Sequence, residues 1–360
     1  MRAAIRAVMN FPQRSFATVL AVAFGFGLPA RAAELIRPKV IVVATFEVGA
    51  DTGDKPGEFQ FWAEREALSG SIDVPGLDHP VRFNENGVYG VVSGTTVRAG
   101  NQLMALALDP RFDLSRSYWL INGIAGVNPE VASEGSAAWA RYVIDGDIAY
   151  EIDTREAPAD WDYGIMAIGN KSPKQKPVIP DWAPKPMQWT INPTLVEWAF
   201  RLTKDIALTD TPEAKAHRAL YIGFPEALKP PQVLLGESFG SCRYWHGTVM
   251  NRWASDWTSL YTGGKGKMSM SNMEDQGIAA ALARLTKMGR VDFQRVLFLR
   301  TGSNFTMPPR GQSAAESMVS EYAGMLPALE AAYRVGRPVV QELTKNWSDY
   351  ENRPPAASSE

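Results

Sequence analysis

The sequence predicts an α/β fold: one three-layer domain in which helices flank a mixed, mostly parallel central sheet. Three observations carry that expectation. The run VIVVATF, residues 40–46, is a continuous β-branched stretch of the kind found in a strand covered on both faces. From Lys39 onward, apolar strands, turns and amphipathic segments alternate without a long linker, the order that builds a parallel sheet. At 360 residues and 45% hydrophobic, the chain can bury a large core.

Each element follows from its local pattern. After the first strand, GVYGVVSGTT from Gly87 is a second strand ending in a Gly-Thr turn, and GNQLMALALDPRFD from Gly100 is the helix behind it. YWLINGIAGV from Tyr118 is a third strand that ends in small residues. YVIDGDIAYEID from Tyr142 reads as two strands paired through an Asp-Gly turn. The Pro- and Lys-rich stretch 171–186 is an excursion over the surface, followed by helical segments around 195–208 and 211–224. QVLLGESF, SNMEDQGIAAALARLTKMGR and RVLFLRTGSN resume strand, helix and strand. SAAESMVSEYAGMLPALEAAYRVG from Ser313 closes the domain as one long helix. The domain spans 33–350, and ENRPPAASSE, 351–360, reads as a disordered tail.

The first 32 residues form a separate unit. Arg2, Arg6 and Arg14 precede the apolar run FATVLAVAFGFGL and an Ala30-Arg31-Ala32 site, the pattern of a secretory signal peptide. A bilayer span needs roughly 20 apolar residues, and this run is shorter. The expectation is an exported protein, periplasmic or secreted, with no stable membrane insertion after cleavage. Cys242 is the only cysteine, so no intrachain disulfide forms, and it reads as a small buried hydrophobe. A net charge of −2 excludes the basic footprint of a nucleic-acid partner.

Several catalytic patterns fail on their own chemistry. GESFG, 236–240, matches a nucleophile elbow, yet the only later histidine is His246 and no Asp or Glu lies between it and Ser238. A serine triad in the hydrolase order cannot be assembled. Three scattered histidines offer no H-E-x-x-H, and neither GGKGKM nor INGIAG is a phosphate-binding motif.

What remains is polar groups at strand ends. Glu274 opens an Ala-rich helix and Asn304 ends the buried strand VLFLRTGSN thirty residues later. In an open α/β sheet, ligands bind at that carboxyl edge. A carboxylate accepts two hydrogen bonds from a cis-diol, and an Asn amide both donates and accepts toward a heteroaromatic edge. Thr95-Thr96, Gly123 to Gly126, Ser238-Phe239 and Ser303-Asn304 complete a set of four small or polar strand ends.

This arrangement resembles the nucleoside phosphorylase superfamily, and specifically the purine nucleoside permease family. The resemblance runs through VIVVATFEVGAD, SGTTVRAGNQLMALALDPRFD, INGIAGVNPEVASEGSAAWARYVIDGDIAYEID, GESFGSCRYWHG, NMEDQGIAAAL and LRTGSNFTMPP. It implies a nucleoside phosphorylase-like domain in which Met273-Glu274 holds the ribose hydroxyls, Asn304 meets the purine near N7 and Phe239 lies beside the base. Ser238, Ser303 and Gly126 stand at the same edge. Where nucleosidases carry Asp as the acid, this chain has Asn304, which can stabilise a departing base but cannot protonate it.

For the nucleophile two arrangements stay open. A phosphorylase needs an anion site, for which Thr95, Thr96, Arg98 and Gly49 are the candidates, with inorganic phosphate as co-substrate and no other cofactor. A hydrolase needs a carboxylate to activate water, and Glu47 lies in the right loop. The expected function is cleavage of the N-glycosidic bond of a purine nucleoside. The alternative is a binding protein that assists nucleoside uptake. The resemblance also implies a homo-oligomer.

Overall fold

In the computed structural model, which describes residues 34–356, the first apolar run forms β1 (Val40–Ala44), and all five of its residues are buried. The expected signal peptide lies outside the described residues. After the loop that follows come α1 (Gln60–Arg65), the short strands β2 (Gly70–Ile72) and β3 (Val81–Phe83), and β4 (Val88–Val92). Helix α2 (Val97–Leu108) leads to β5 (Tyr118–Val127). The helix stops short of Pro110, which has no N–H to continue it.

The middle of the chain holds β6 (Ala137–Trp139), β7 (Tyr142–Asp145), β8 (Ala149–Glu151), β9 (Ile165–Ala167) and β10 (Gln188–Thr190). Helices α3 (Pro193–Thr203) and α4 (Pro212–Arg218) follow, each with Pro in its first turn behind an Asn or Thr side-chain cap. The last third runs β11 (Val233–Leu235), β12 (Glu237–Gly240), α5 (Thr248–Thr262), β13 (Met268–Asn272), α6 (Asp275–Lys287), β14 (Val296–Phe305), α7 (Ala314–Met318) and α8 (Met325–Lys345).

These strands make one mixed sheet whose main path is β10-β7-β12-β13-β5-β1-β4-β3-β2, with β14 paired to β5 and β6, and β6 to β11. The longest pairing, β14 with β5, is parallel, as are both pairings of β1. Antiparallel pairings join β13 to β5 and close the sheet's two ends. Helix α8 packs across β14, β5 and β1, while α6 packs on α2, β12 and β7.

Three sequence expectations change. β7 and β8 are both strands, but they do not pair: β7 is held between β10 and β12, and β8 pairs with β9 in a separate two-stranded sheet. Both edges of β7 are already occupied, so no edge is left for a hairpin partner. The closing helix is two helices, and Gly324, at the N-cap of the second, approaches the Ser303 carbonyl so closely that a Cβ there would lie 2.6 Å from it. The chain between α7 and α8 carries Tyr322 toward β14. The supposed tail is partly anchored: Arg116 pairs with Glu351, Arg295 donates to the Glu351 carbonyl, and Pro355 is buried. Residues 357–360 lie outside the described residues.

Candidate active site

The carboxyl ends of β1, β5, β13 and β14 converge on a cavity of about 220 Å³. Six of the twelve residues singled out from the sequence line it: Thr95, Gly126, Met273, Glu274, Ser303 and Asn304. Their placement follows from local structure. In the β14–β5 ladder Gly302 pairs with Ala125 and Asn304 with Gly126, so Ser303 is an extra residue. Such a bulge bends the strand and re-aims the next side chain. Glu274 sits at the N-cap of α6 but its side chain does not cap the helix; Asn272 Oδ1 does, accepting from the amides of Glu274 (3.3 Å) and Asp275 (2.9 Å). The Glu274 carboxylate is thereby released from the helix.

That carboxylate belongs to a buried charge cluster. Arg300, 1% exposed, contacts Asp275 Oδ1 at 2.5 Å, Glu274 Oε1 at 2.9 Å and Glu58 Oε1 at 3.8 Å. Three carboxyl groups therefore share one guanidinium. Burial raises the Glu58 carboxyl above its ordinary range, against the pull of Arg300. Burial also pushes Glu274 up to about 7, with the neighbouring Glu58 and Asp275 charges adding to the rise and Arg300 opposing it. Near neutral pH this cluster can hold or release a proton. Glu274 Oε1 is engaged by Arg300 and by Thr45 Oγ1 at 3.3 Å, which leaves Oε2 for a ligand.

Glu58 and Thr45 line the same cavity. Glu58 Oε2 accepts from the Thr45 amide and hydroxyl, both at 2.7 Å, and Oε1 accepts from the Ile124 amide at 2.7 Å. Gly123 makes room for this arrangement. A Cβ there would overlap Glu58 Oε1 and lie 2.5 Å from Arg300 Nη1. Gly123→Ala is expected to displace one of the two and weaken ligand binding at least tenfold, about 1.4 kcal/mol; calorimetric titration with a nucleoside checks this. Unchanged affinity would show that the cluster adjusts at no cost.

Asn304 closes the other end. Its Nδ2 donates to the Tyr244 hydroxyl (3.2 Å) and the Phe305 carbonyl (3.1 Å), and its Oδ1 accepts from Ser303 Oγ (3.0 Å). Tyr322 donates to Tyr244 at 2.9 Å. The aromatic wall of the cavity is thus Tyr244, Tyr322 and Phe46. Aromatic faces of this kind stack on flat heteroaromatic rings.

The other six candidates lie off the cavity lining. Phe239 is fully buried among Trp245 and Trp253, with ring centroids 6.2 and 4.9 Å away, so it is core and not a stacking platform. Ser238 donates to Asp275 Oδ2 at 2.6 Å and accepts from Asn272 at 2.7 Å, which makes it a brace for the charge cluster. Glu47 accepts hydrogen bonds from the amides of Val48, Gly57, Phe59 and Gln60, so it anchors the entry to α1, away from the cavity lining. Gly49 is an exposed turn residue at φ +77°, beside Asp54. Thr96 opens α2 at φ +60°, and Arg98 is exposed on the first turn of that helix. Of the expected anion site, only Thr95 reaches the cavity.

Sequence reasoning missed Glu58, Thr45 and Arg300. One signal was available: an arginine inside VLFLR, an otherwise apolar strand, must be buried and therefore paired. Glu58 had no signal, because its role depends on a loop folding back over β1.

The chain matches the family model described as purine nucleoside permease (NUP) over residues 37–355. A "probable purine nucleoside permease" of Schizosaccharomyces pombe is 28% identical over 329 residues, covering 87% of this chain and 91% of that protein. A purine nucleoside permease of Candida albicans is 26% identical over 324 residues, covering 87% and 76%. Among solved structures, futalosine hydrolase of Helicobacter pylori aligns with a TM-score of 0.50 at 12% identity, covering 85% of this chain and 98% of that one. The 5′-methylthioadenosine/S-adenosylhomocysteine nucleosidase of Neisseria meningitidis aligns at 0.49 and 13% identity, covering 86% and 100%.

Proposed function

This chain belongs to the purine nucleoside permease family, and on that premise we propose that its cavity binds a purine nucleoside and cleaves the N-glycosidic bond. The observation that carries this reading is that Glu274 and Asn304, on different elements, line one cavity with tyrosines beside the amide. Glu274 Oε2 accepts from the ribose hydroxyls, Asn304 meets the base edge, and Tyr322 or Phe46 stacks on the base. As the C1′–N9 bond lengthens, negative charge collects on the base and positive charge on the sugar. The Asn304 amide stabilises the first as the Nδ2 hydrogen that rests on the Tyr244 hydroxyl turns to the base, and the carboxylates of Glu274 and Glu58 stabilise the second.

Water is the favoured nucleophile. Two carboxyl groups line the cavity and the charge of Arg300 is spent on them, so a phosphate dianion would meet repulsion there. Glu58, raised by burial, takes the role once expected of Glu47 and accepts the proton of the attacking water. The leading residues 1–32 are proposed to direct export, which would place the activity in the periplasm or outside the cell. Among the described residues no helix is long and apolar enough to cross a membrane.

Incubating the protein with inosine, adenosine and guanosine, with and without phosphate, tests this by release of free base. Release without phosphate supports hydrolysis; release only with phosphate supports phosphorolysis at Thr95 and the start of α2. Micromolar binding with no release in either condition would leave a binding protein. Asn304→Ala is expected to lower kcat about 100-fold while weakening binding less than tenfold, because a leaving-group contact strengthens in the transition state. Equal losses in both would remove Asn304 from the chemistry.

A further inference from the structure

Behind the wall formed by Asn304, Tyr244 and Tyr322 lies a second, smaller chamber of about 10 Å³, room for a single water-sized molecule. Glu134, His217 and His246 line it, so two of the three histidines in the chain border the same chamber as Asn304. Glu134 is fully buried, and its Oε2 lies 2.8 Å from His217 Nδ1. Its Oε1 is buried without a hydrogen-bond partner among the described residues. A buried carboxyl oxygen left unpaired is costly, so it implies an occupant of the chamber or a mobile proton. The His217 side chain keeps 21% of its surface in solvent and can exchange protons with it.

Tyr244 joins the two compartments. Its hydroxyl oxygen accepts from Asn304 Nδ2 and from Tyr322, which leaves its own hydrogen free to donate. Asn304 cannot supply a proton to a leaving base, yet a neutral purine needs one.

Resting on the cleavage reading above, we propose that the Glu134–His217 pair supplies the proton taken up by the departing purine, passing it across the chamber to the Tyr244 hydroxyl. The C1′–N9 bond breaks and its electron pair stays with the base. The base takes the Tyr244 proton at N7, His217 refills Tyr244, and solvent refills His217. Water adds its oxygen to C1′ and gives its proton to Glu58 and then to solvent, so one water is consumed and protons balance. His217 and Glu134 act through Tyr244 and are positioning residues. The hydrogen bond to Glu134 raises His217 from its ordinary value, which favours its charged, proton-donating form. Burial holds Tyr244 well above its ordinary value, so it stays protonated until the base draws on it. The other titratable groups facing the chamber are His246, Glu321, Tyr221 and Tyr322.

The test compares neutral purine nucleosides with 7-methylguanosine, whose base already carries positive charge and leaves without taking up a proton. His217→Gln is expected to lower kcat/KM for the neutral substrate about 100-fold and for 7-methylguanosine less than about threefold, the size of a general-acid contribution. Glu134→Gln, which removes the charge that raises His217, is expected to move the alkaline limb of the neutral-substrate profile to lower pH. That shift decides the matter if His217→Gln does not fold. Equal losses on both substrates, or no loss on either, overturns the proton-supply role while base release by the parent protein leaves the cleavage reading standing. No release from either substrate by the parent protein overturns both.

Discussion

Replacing Arg300 with methionine is expected to destabilise the fold by about 3–5 kcal/mol at pH 8, because it strands buried carboxylates without their counter-charge. Arg300 is 1% exposed, and it is the cation between Asp275, Glu274 and Glu58. The loss should shrink at pH 5. Glu58 and Glu274 are both raised by burial, so in the variant they take up protons readily and the uncompensated charge disappears. Urea denaturation at the two pH values measures both quantities. A cost that stays the same at pH 5 and pH 8 would mean that the cluster is held by packing and not by charge.

Glu274→Gln is expected to weaken nucleoside binding about 10–100-fold at pH 8, the loss of a hydrogen bond to a charged acceptor worth roughly 1.5–3 kcal/mol. In the parent protein, affinity should rise as pH rises through about 7, because the ionised carboxylate accepts from both ribose hydroxyls whereas the protonated one has given up an acceptor site. The variant should show no such step. Folding stability has the opposite sign. A carboxyl raised from 4.5 to about 7 contributes stability that is fully present below 4.5 and is lost as pH rises through about 7. Titrations at several pH values, beside thermal melts of both proteins, separate the two effects. A pH-independent affinity in the parent protein would remove Glu274 from ribose recognition.

Much of the fold was legible because local pattern and tertiary demand agree. Apart from Asn122, the ten residues from Tyr118 to Val127 carry no polar side chain inside the span, and they form the central strand β5 over its whole length. Glu274 and Asn304 were legible for the same reason: a helix start and a strand end are local events, and parallel packing carries both to one sheet edge. Phe239 misled because an aromatic at a strand end reads alike whether it faces a ligand or a tryptophan cluster. Glu47 misled because a loop carboxylate reads alike whether it is free or bound to four amides.

The sequence by itself determined the α/β alternation, the buried central strands and the pairing of a carboxylate with an amide at the sheet edge. Only the tertiary structure decided which carboxyl groups share the Arg300 guanidinium and which aromatics face the cavity. Hydrophobic periodicity is a property of neighbours along the chain. Glu58 meets Glu274 and Arg300 across more than two hundred residues, Tyr322 joins them at the same cavity, and their chemistry is set by burial and charge that exist only after the chain has closed around them.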